Sequence, residues 1–384
     1  MASWAEEGAR RITAARGQME AAGLDALLLI SSANAAYLSG YPSPERTLGR
    51  ALYFLLPLTG NPTVLAQAWR VAEARRYCWV ADVRGYQRVS AVPLAELERL
   101  WDEHGLGGAT VGMELGGEQR LGIPLLDFEA LQRCLEGTKL VDCGELLWKL
   151  RMVKSAAEVE RIRTACRITG EAYAATFETT TVGHTGRQVV SRMKTEMIRR
   201  GGAEPWVLSS FGPGSYELPS EMVSEAPVRR GDMLWMDAGC EVGGYWSDFS
   251  RAAVVGPATA AQLEAQAAIH EVTAAAVALV RPGRPVVEIA AACREGLASL
   301  DFEVTAPLSD LAGRIGHSLG LEVTELPHLA EFDATVLEAG MVITVEPAVA
   351  TPYGAFHVEE NVLVTQHGHE LLTPIPWQLA ELPG

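Results

Sequence analysis

Lysine is nearly missing from this chain: 384 residues contain only Lys139, Lys149, Lys154 and Lys194, so arginine carries almost all of the positive charge. Acids still outnumber bases, and the net charge is −16. A body of that sign repels phosphate backbones, which argues against general nucleic-acid binding. Cysteine is scarce as well, with six residues and no CxxC pair. That excludes a disulfide scaffold and reads as free thiols in a reducing cytoplasm. Long hydrophobic runs are missing too. The apolar stretch 26–30 is too short to span a bilayer, and the Ala-rich stretch 261–280 is broken by Glu264, His270 and Glu271. The opening MASWAEEGARRITAARGQME has no apolar core of the kind a signal peptide needs. The expectation is a cytoplasmic protein with no membrane partner. What remains is an ordinary globular composition, 48% hydrophobic and 21% charged, at a length that suits two domains.

Periodicity divides the chain near residue 150. Before it, an amphipathic helix over 5–22 precedes apolar runs at 24–30, 51–58, 62–67 and 109–115, with helical patterns between them. Such alternation predicts a layered α/β domain over residues 1–150. Beyond it, Ser155 with Glu158 three residues on predicts a capping box opening a long helix. Further helices are expected at 185–200, 258–280 and 284–299, followed by strands rich in Val, Ile and aromatics. Residues 151–384 therefore read as an α+β domain built on an antiparallel sheet.

Two segments of the second domain concentrate acids in hairpins. In GDMLWMDAGCEVGGYWSDFSRAAVVG (231–256), a turn centred between Val242 and Gly243 would set Asp237 directly opposite Asp248. In GMVITVEPAVATPYGAFHVEENVLVT (340–365), a turn centred between Pro352 and Tyr353 sets Glu346 opposite Glu359. Opposed side chains lie roughly 5 Å apart at Cβ, and like charges there are destabilising unless something positive lies between them. Between the hairpins, GRIGHSLGLEVTELP (313–327) places His317 among glycines and small residues, which suits close approach of backbone to a ligand. Singly, an Asp on a strand usually faces solvent and a His in a Gly-rich turn is usually structural. Together, four carboxylates and one imidazole form an oxygen-rich set suited to Mn, Co, Fe or Zn, and two divalent ions fit it better than one.

These words resemble the ligand signature of the Xaa-Pro peptidase, methionine aminopeptidase and creatinase superfamily. MDAG followed by GYWSDFSR is similar to its two-aspartate motif, GHSLGLEVTELP to its histidine motif, VEPA and HVEENVLVT to its two glutamate motifs. RITAARGQMEAAGLDALLLISSANAAYLSGY resembles the start of the smaller domain of prolidase- and creatinase-type members, and LRMVKSAAEVERIRTA their interdomain segment. The resemblance implies a creatinase-like N-terminal domain and a catalytic domain of the pita-bread fold. It implies that Asp237 chelates one metal, that Asp248 and Glu359 bridge the pair, and that His317 and Glu346 hold the second. It further implies that Glu346 takes a proton from the attacking water, that Glu360 supports from behind, and that the protein is a homodimer.

The chain departs from this pattern at several places. Peptidases of the group carry two more histidines, one seventeen residues before the first aspartate and one seven after the ligand histidine; those positions are Ser220 and Thr324. Neither side chain can act as an imidazolium or proton shuttle. Ala348 follows Glu-Pro where Gly is usual, and His357 stands where Arg is frequent. Ser220, Thr324, His328 and His357 are the candidate substrate contacts. The expected activity is hydrolysis of a C–N bond in a short peptide or small molecule, of Xaa-Pro peptidase type. The alternatives are a small amide such as an ectoine-type or creatine-like compound, a lyase of the same fold, and a binding module without catalysis.

Overall fold

The computed structural model describes residues 4–42 and 50–384, with the backbone alone for Trp4 and Ala5. The chain divides into two compact units, Met1–Arg151 and Met152–Gly384.

The first unit runs α1 (Trp4–Ala22), β1 (Ala26–Leu29), α2 (Ser32–Ser39), β2 (Tyr53–Pro57), β3 (Thr63–Gln67), α3 (Val71–Tyr77), β4 (Asp82–Tyr86), α4 (Leu94–His104), β5 (Thr110–Met113), α5 (Leu125–Cys134), β6 (Lys139–Asp142) and α6 (Gly144–Met152). Its six strands form one mixed sheet in the order β4-β3-β2-β1-β5-β6. Strands β1, β2 and β3 are buried along their whole length, which is why they appear in the sequence as continuous apolar runs rather than alternations.

The second unit continues with α7 (Ala156–Thr179), α8 (Gly186–Arg199), β7 (Ala203–Phe211), β8 (Met233–Val242), β9 (Tyr245–Trp246), β10 (Phe249–Val255), α9 (Ala260–Val277), α10 (Val286–Ala298) and α11 (Leu308–Ala312). Strands β11 (His317–Ser318), β12 (Glu325–His328), β13 (Val342–Val345), β14 (Ala348–Thr351), β15 (Gly354–His357), β16 (Glu360–Val364), β17 (His369–Leu371) and β18 (Ala380–Leu382) complete it. One sheet has the order β18-β10-β8-β7, a second β12-β11-β13-β16-β17, and β14 pairs with β15 alone. Pairing is antiparallel except between β10 and β18. Helices α7 and α8 pack on β8 and β10 through Ile162, Ala165, Tyr173, Met193 and Met236. Helices α9 and α10 pack on β13 and β16 through Val272, Ile289, Ile343 and Val362. This is the α+β pita-bread arrangement, with two sheets whose inner ends meet between the helix pairs.

Local chemistry explains the helix starts. Ser155 accepts from Glu158 N, and the Glu158 carboxylate accepts from Ser155 N, as the S-x-x-E spacing predicts. Thr185 with Gln188 and Thr259 with Gln262 repeat the device for α8 and α9. Just before α7, Lys154 Nζ lies 2.9 Å from Ser318 Oγ and 3.3 Å from Glu325 Oε2, and both charged side chains are 1% exposed. This buried pair ties the entry of the second unit to β11 and β12.

Removing one partner of a buried ion pair strands the other in a medium that solvates it poorly. Lys154→Met is expected to lower the unfolding free energy by about 3–5 kcal/mol in equilibrium urea titrations. Lys154→Met combined with Glu325→Leu is expected to recover most of that loss; a double variant as unstable as the single would contradict the pairing.

Candidate metal centre

The site lies where the inner ends of the two sheets of the second unit converge. Its first acid, Asp237, sits in the middle of β8. The turn joining β8 to β9 is Gly243–Gly244, both with positive φ (56° and 90°), so Val242 pairs with Tyr245 and Glu241 with Trp246. The turn centre thus falls one residue later than expected, which moves each cross-strand partner by two. Asp237 pairs across to Ser250 rather than to Asp248, which lies just before β10. A Gly-Gly pair supplies the left-handed residues a two-residue hairpin needs, and this turn signal outweighs a centre placed one step earlier. The two aspartates are diagonal neighbours on one face instead of direct partners, still within reach of a shared cation. Tyr173, from α7, clamps both strands: its hydroxyl reaches Met236 O at 2.8 Å and Phe249 O at 3.1 Å.

The second hairpin has the expected register. Thr351 pairs with Gly354 and Ala348 with His357, and the same alignment continues through Val345 and Glu360. Glu346 and Glu359 therefore stand opposite each other in the break between β13–β16 and β14–β15. Behind Glu359, Arg251 donates to Glu359 O at 2.8 Å and pairs with Glu360 at 2.9 Å, so Glu360 is turned away to a guanidinium. The Asn361 side chain accepts from Asp248 N at 3.2 Å and donates to Asp248 O, tying β16 to the backbone of the first hairpin.

His317 lies on β11 beside these acids. Its Nδ1 faces Ser318 O at 2.9 Å, which fixes the proton there and leaves Nε2 as an acceptor. Nε2 lies 3.3 Å from Asp248 Oδ2 and 3.7 Å from Glu346 Oε1. The neighbouring glycine serves packing more than ligand approach: a Cβ on Gly316, at φ 153°, would meet Thr344 O at 2.3 Å.

The four substrate-contact candidates separate. Ser220 is bonded through its backbone to Ser209, and its hydroxyl accepts from Met222 N. Thr324 accepts from Arg314 Nη2 at 3.2 Å, and Nη1 of the same guanidinium lies 3.3 Å from Nδ1 of His328, which pairs with His317 across β11–β12. His357 is 8% exposed, stacks on Trp235, and brings Nε2 to 3.9 Å from Glu359 Oε2. Arg314 is the residue that sequence reasoning passed over. Its signal was the position three residues before His317, but an arginine in a Gly-rich loop is ordinarily solvated.

Oxygen atoms of Asp237, Asp248 and Glu359 lie within 4.8 Å of one another, and ligand atoms of Glu346, His357 and Glu359 form a second group of the same tightness. Asp237 Oδ1, Asp248 Oδ1 and both Glu359 oxygens are buried without a hydrogen-bond partner among the described residues. Burial, followed by mutual repulsion, pushes Asp237, Asp248 and Glu359 well above the usual carboxylate range. Burial also raises Glu346, although His317 and Arg314 oppose it. Burial lowers His317, and it lowers His357 to about 3 with help from Arg251. Buried acids with unpaired oxygens beside neutral imidazoles are what a divalent cation requires of its ligands, so the residues fit one.

Fold and site together define a metal-dependent hydrolase of the pita-bread class. The chain belongs to metallopeptidase family M24, whose sequence pattern matches residues 160–366, and a creatinase/prolidase N-terminal domain matches residues 11–153. It is 27% identical over 359 residues to a Xaa-Pro dipeptidase of Pyrococcus horikoshii, covering 92% of this chain and 94% of that one. It is 31% identical over 231 residues to a Xaa-Pro dipeptidase of Pyrococcus furiosus, covering 60% of this chain and 65% of that protein. Among solved structures it resembles the dipeptidase PepE from Mycobacterium ulcerans, with a TM-score of 0.82, 26% identity and full coverage of both chains. The prolidase from Pyrococcus horikoshii shares the fold at a TM-score of 0.81 and 24% identity, covering 96% of this chain and 99% of that one. The protein is thus a divalent-metal-dependent peptidase, which sets aside a role in binding alone. Among the described residues no helix is long and apolar enough to cross a membrane.

The pKa directions predict how the metal-free protein responds to pH. Carboxylates that keep protons to higher pH when folded leave the native state with more bound protons than the unfolded chain, so stability falls as pH rises above about 4. His357 and His317 act oppositely, adding stability as pH rises toward 6.5, the ordinary value for histidine. Above that the raised carboxylates act, joined toward pH 8.5 by the buried thiols of Cys143, Cys166 and Cys293, whose protons burial also retains. The melting temperature of metal-free protein is expected to drop as pH rises from about 6.5 to 8.5, with Mn²⁺ raising it most at the upper end. A flat profile would contradict the acid cluster's influence.

Proposed function

We propose that the protein is a dinuclear dipeptidase acting on short substrates with a free C-terminal carboxylate, Xaa-Pro dipeptides foremost. The observation that carries this reading is Arg314, a guanidinium held by Thr324 and His328 at the edge of the acid cluster. A carboxylate met by that fork is recognised with both charge and geometry. The names of the Pyrococcus relatives support the same substrate class.

Asp237 and Asp248 would hold one divalent ion, His317 and Glu346 the other, with Asp248 and Glu359 shared; Mn, Co, Fe and Zn all suit such donors. The ions, when bound, supply Lewis acidity and an acidified water. The chain's own residues do the rest. Glu346, the least buried of the four acids, accepts the proton of the attacking water as oxygen adds to the scissile carbonyl carbon. It delivers that proton to the departing nitrogen as the C–N bond breaks, leaving a carboxylic acid and an amine, between which a proton passes to give a carboxylate and an ammonium. Arg314 fixes the far end of the substrate, so that binding is converted into orientation at the reacting carbon. The domains over residues 1–150 and 151–384 act as a smaller N-terminal domain and a catalytic domain, in a homodimer.

A specific feature favours a second reading. Ser220 and Thr324 offer no imidazole, and a small amide demands fewer donors than a peptide. Metal-free protein reloaded with Mn²⁺ or Co²⁺ and offered Xaa-Pro dipeptides, their C-terminal amides, ectoine and creatine separates the two. The dipeptides are expected to turn over and their amides to be poor substrates; turnover of ectoine or creatine alone would overturn the dipeptidase reading. Glu346→Gln is expected to lower kcat by about 10²–10⁴-fold. Arg314→Leu is expected to raise KM for free dipeptides about 10–100-fold, the loss of a charge-assisted hydrogen bond, and to leave the amides unchanged. Equal effects on both substrate forms would remove Arg314 from carboxylate recognition.

A further inference from the structure

Six groups, not five, converge on this cluster. We infer that His357 is a second nitrogen ligand of the metal centre, an assignment that rests on the metal-binding reading of the acids around it.

The argument is geometric. His357 closes β15, opposite Ala348 and two residues before Glu359, where the chain leaves the β14–β15 ladder for the cluster. Its ring lies against Trp235, centroids 5.3 Å apart and planes 24° from parallel, so it is wedged against the indole. The residue is 8% exposed, and Nε2 is buried without a hydrogen-bond partner among the described residues. That nitrogen lies 3.9 Å from Glu359 Oε2, too far for a hydrogen bond. A shared cation asks little movement: two donors each about 2.0–2.2 Å from one ion lie about 3–3.8 Å apart at angles of about 90–120°, just inside this separation. Ligand atoms of His357, Glu359 and Glu346 all fall within 4.8 Å of one another. An imidazole nitrogen left unsatisfied beside two carboxylates and pinned by an indole is therefore placed as a ligand.

A hydrogen bond from Nε2 to Glu359 would satisfy both groups more simply, but the ring is not within range, and both oxygens of Glu359 lack a partner. Adding His357 beside His317 changes the donor set from one nitrogen to two. Nitrogen ligands favour Co²⁺ and Zn²⁺ over Mn²⁺. The chain is thereby biased toward the later metals at one of its two positions.

Full-length protein stripped of metal and titrated with CoCl₂ alone provides the test, read by visible d–d absorption and by calorimetry, with MnCl₂ in parallel. Wild type is expected to bind two Co²⁺ per chain. His357→Phe keeps a ring against Trp235 and removes the nitrogen; His357→Gln serves as a second variant, and thermal melts check that both fold. Both variants are expected to lose about 10–100-fold in Co²⁺ affinity at one position, with an altered d–d spectrum and a smaller loss for Mn²⁺. Two bound Co²⁺ with unchanged spectrum and affinity in folded variants would overturn the assignment and leave the dinuclear reading standing, even if KM changed. Fewer than two Co²⁺ bound by wild type would overturn the dinuclear reading itself, and this assignment with it.

Discussion

Carboxylates crowded into one buried volume repel one another, and the architecture of the second unit is organised around holding them there. Two like charges 4.8 Å apart, the outer limit for the oxygens of Asp237, Asp248 and Glu359, repel by about 3 kcal/mol at an effective dielectric near 20. Desolvation adds to this, because Asp248 and Glu359 are 3% and 0% exposed. Without a cation the acids respond by keeping protons. With one, the same burial that opposes ionisation strengthens the attraction between ligand and ion. Metal affinity and metal-free instability are two consequences of a single placement.

That placement requires rigid supports, and the supports are polar groups spent on backbone. Tyr173 grips the carbonyls of Met236 and Phe249, next in sequence to the two aspartates. Asn361 holds the backbone of Asp248 from the opposite hairpin. Arg251 anchors Glu359 through its carbonyl while occupying the carboxylate of Glu360. Each leaves the ligand side chains unengaged, as a binding site must, and locks the strands that carry them. Lys154 extends the scheme to β11 and β12, where Ser318 and Glu325 flank the strand bearing His317.

Much of this is legible in the sequence alone. The apolar runs of the first unit became strands because burial on both faces removes the need for alternation, and Ser155 capped its helix because S-x-x-E fits that geometry. The Thr-Pro-Tyr-Gly turn fixed the register that opposes Glu346 to Glu359. The Gly243–Gly244 turn was misjudged by one residue. Moving the turn centre by one residue moves each cross-strand partner by two, so Asp248 passes from directly across to the diagonal and stays on the same face. The acids still come together, because grouping them needs a common face more than a common rung. Arg314 was not legible. It reaches Thr324 and His328 across the β11–β12 region, where the register shifts between His317 and Ser318, and such a shift carries no periodic signature.

The histidines lost and gained around the cluster are best understood together. Position 220 cannot present a proton-carrying ring, because its hydroxyl closes a local turn with Met222. Position 324 serves as an acceptor for Arg314, a role that a threonine hydroxyl fills and that a protonated ring cannot. His328 completes the same cradle, with Nδ1 turned to the guanidinium. The consequence is a site edge where a guanidinium stands with a single imidazole, that of His328. Beneath this edge lies Glu346, whose carboxyl burial pushes up while His317 and Arg314 both favour its ionisation.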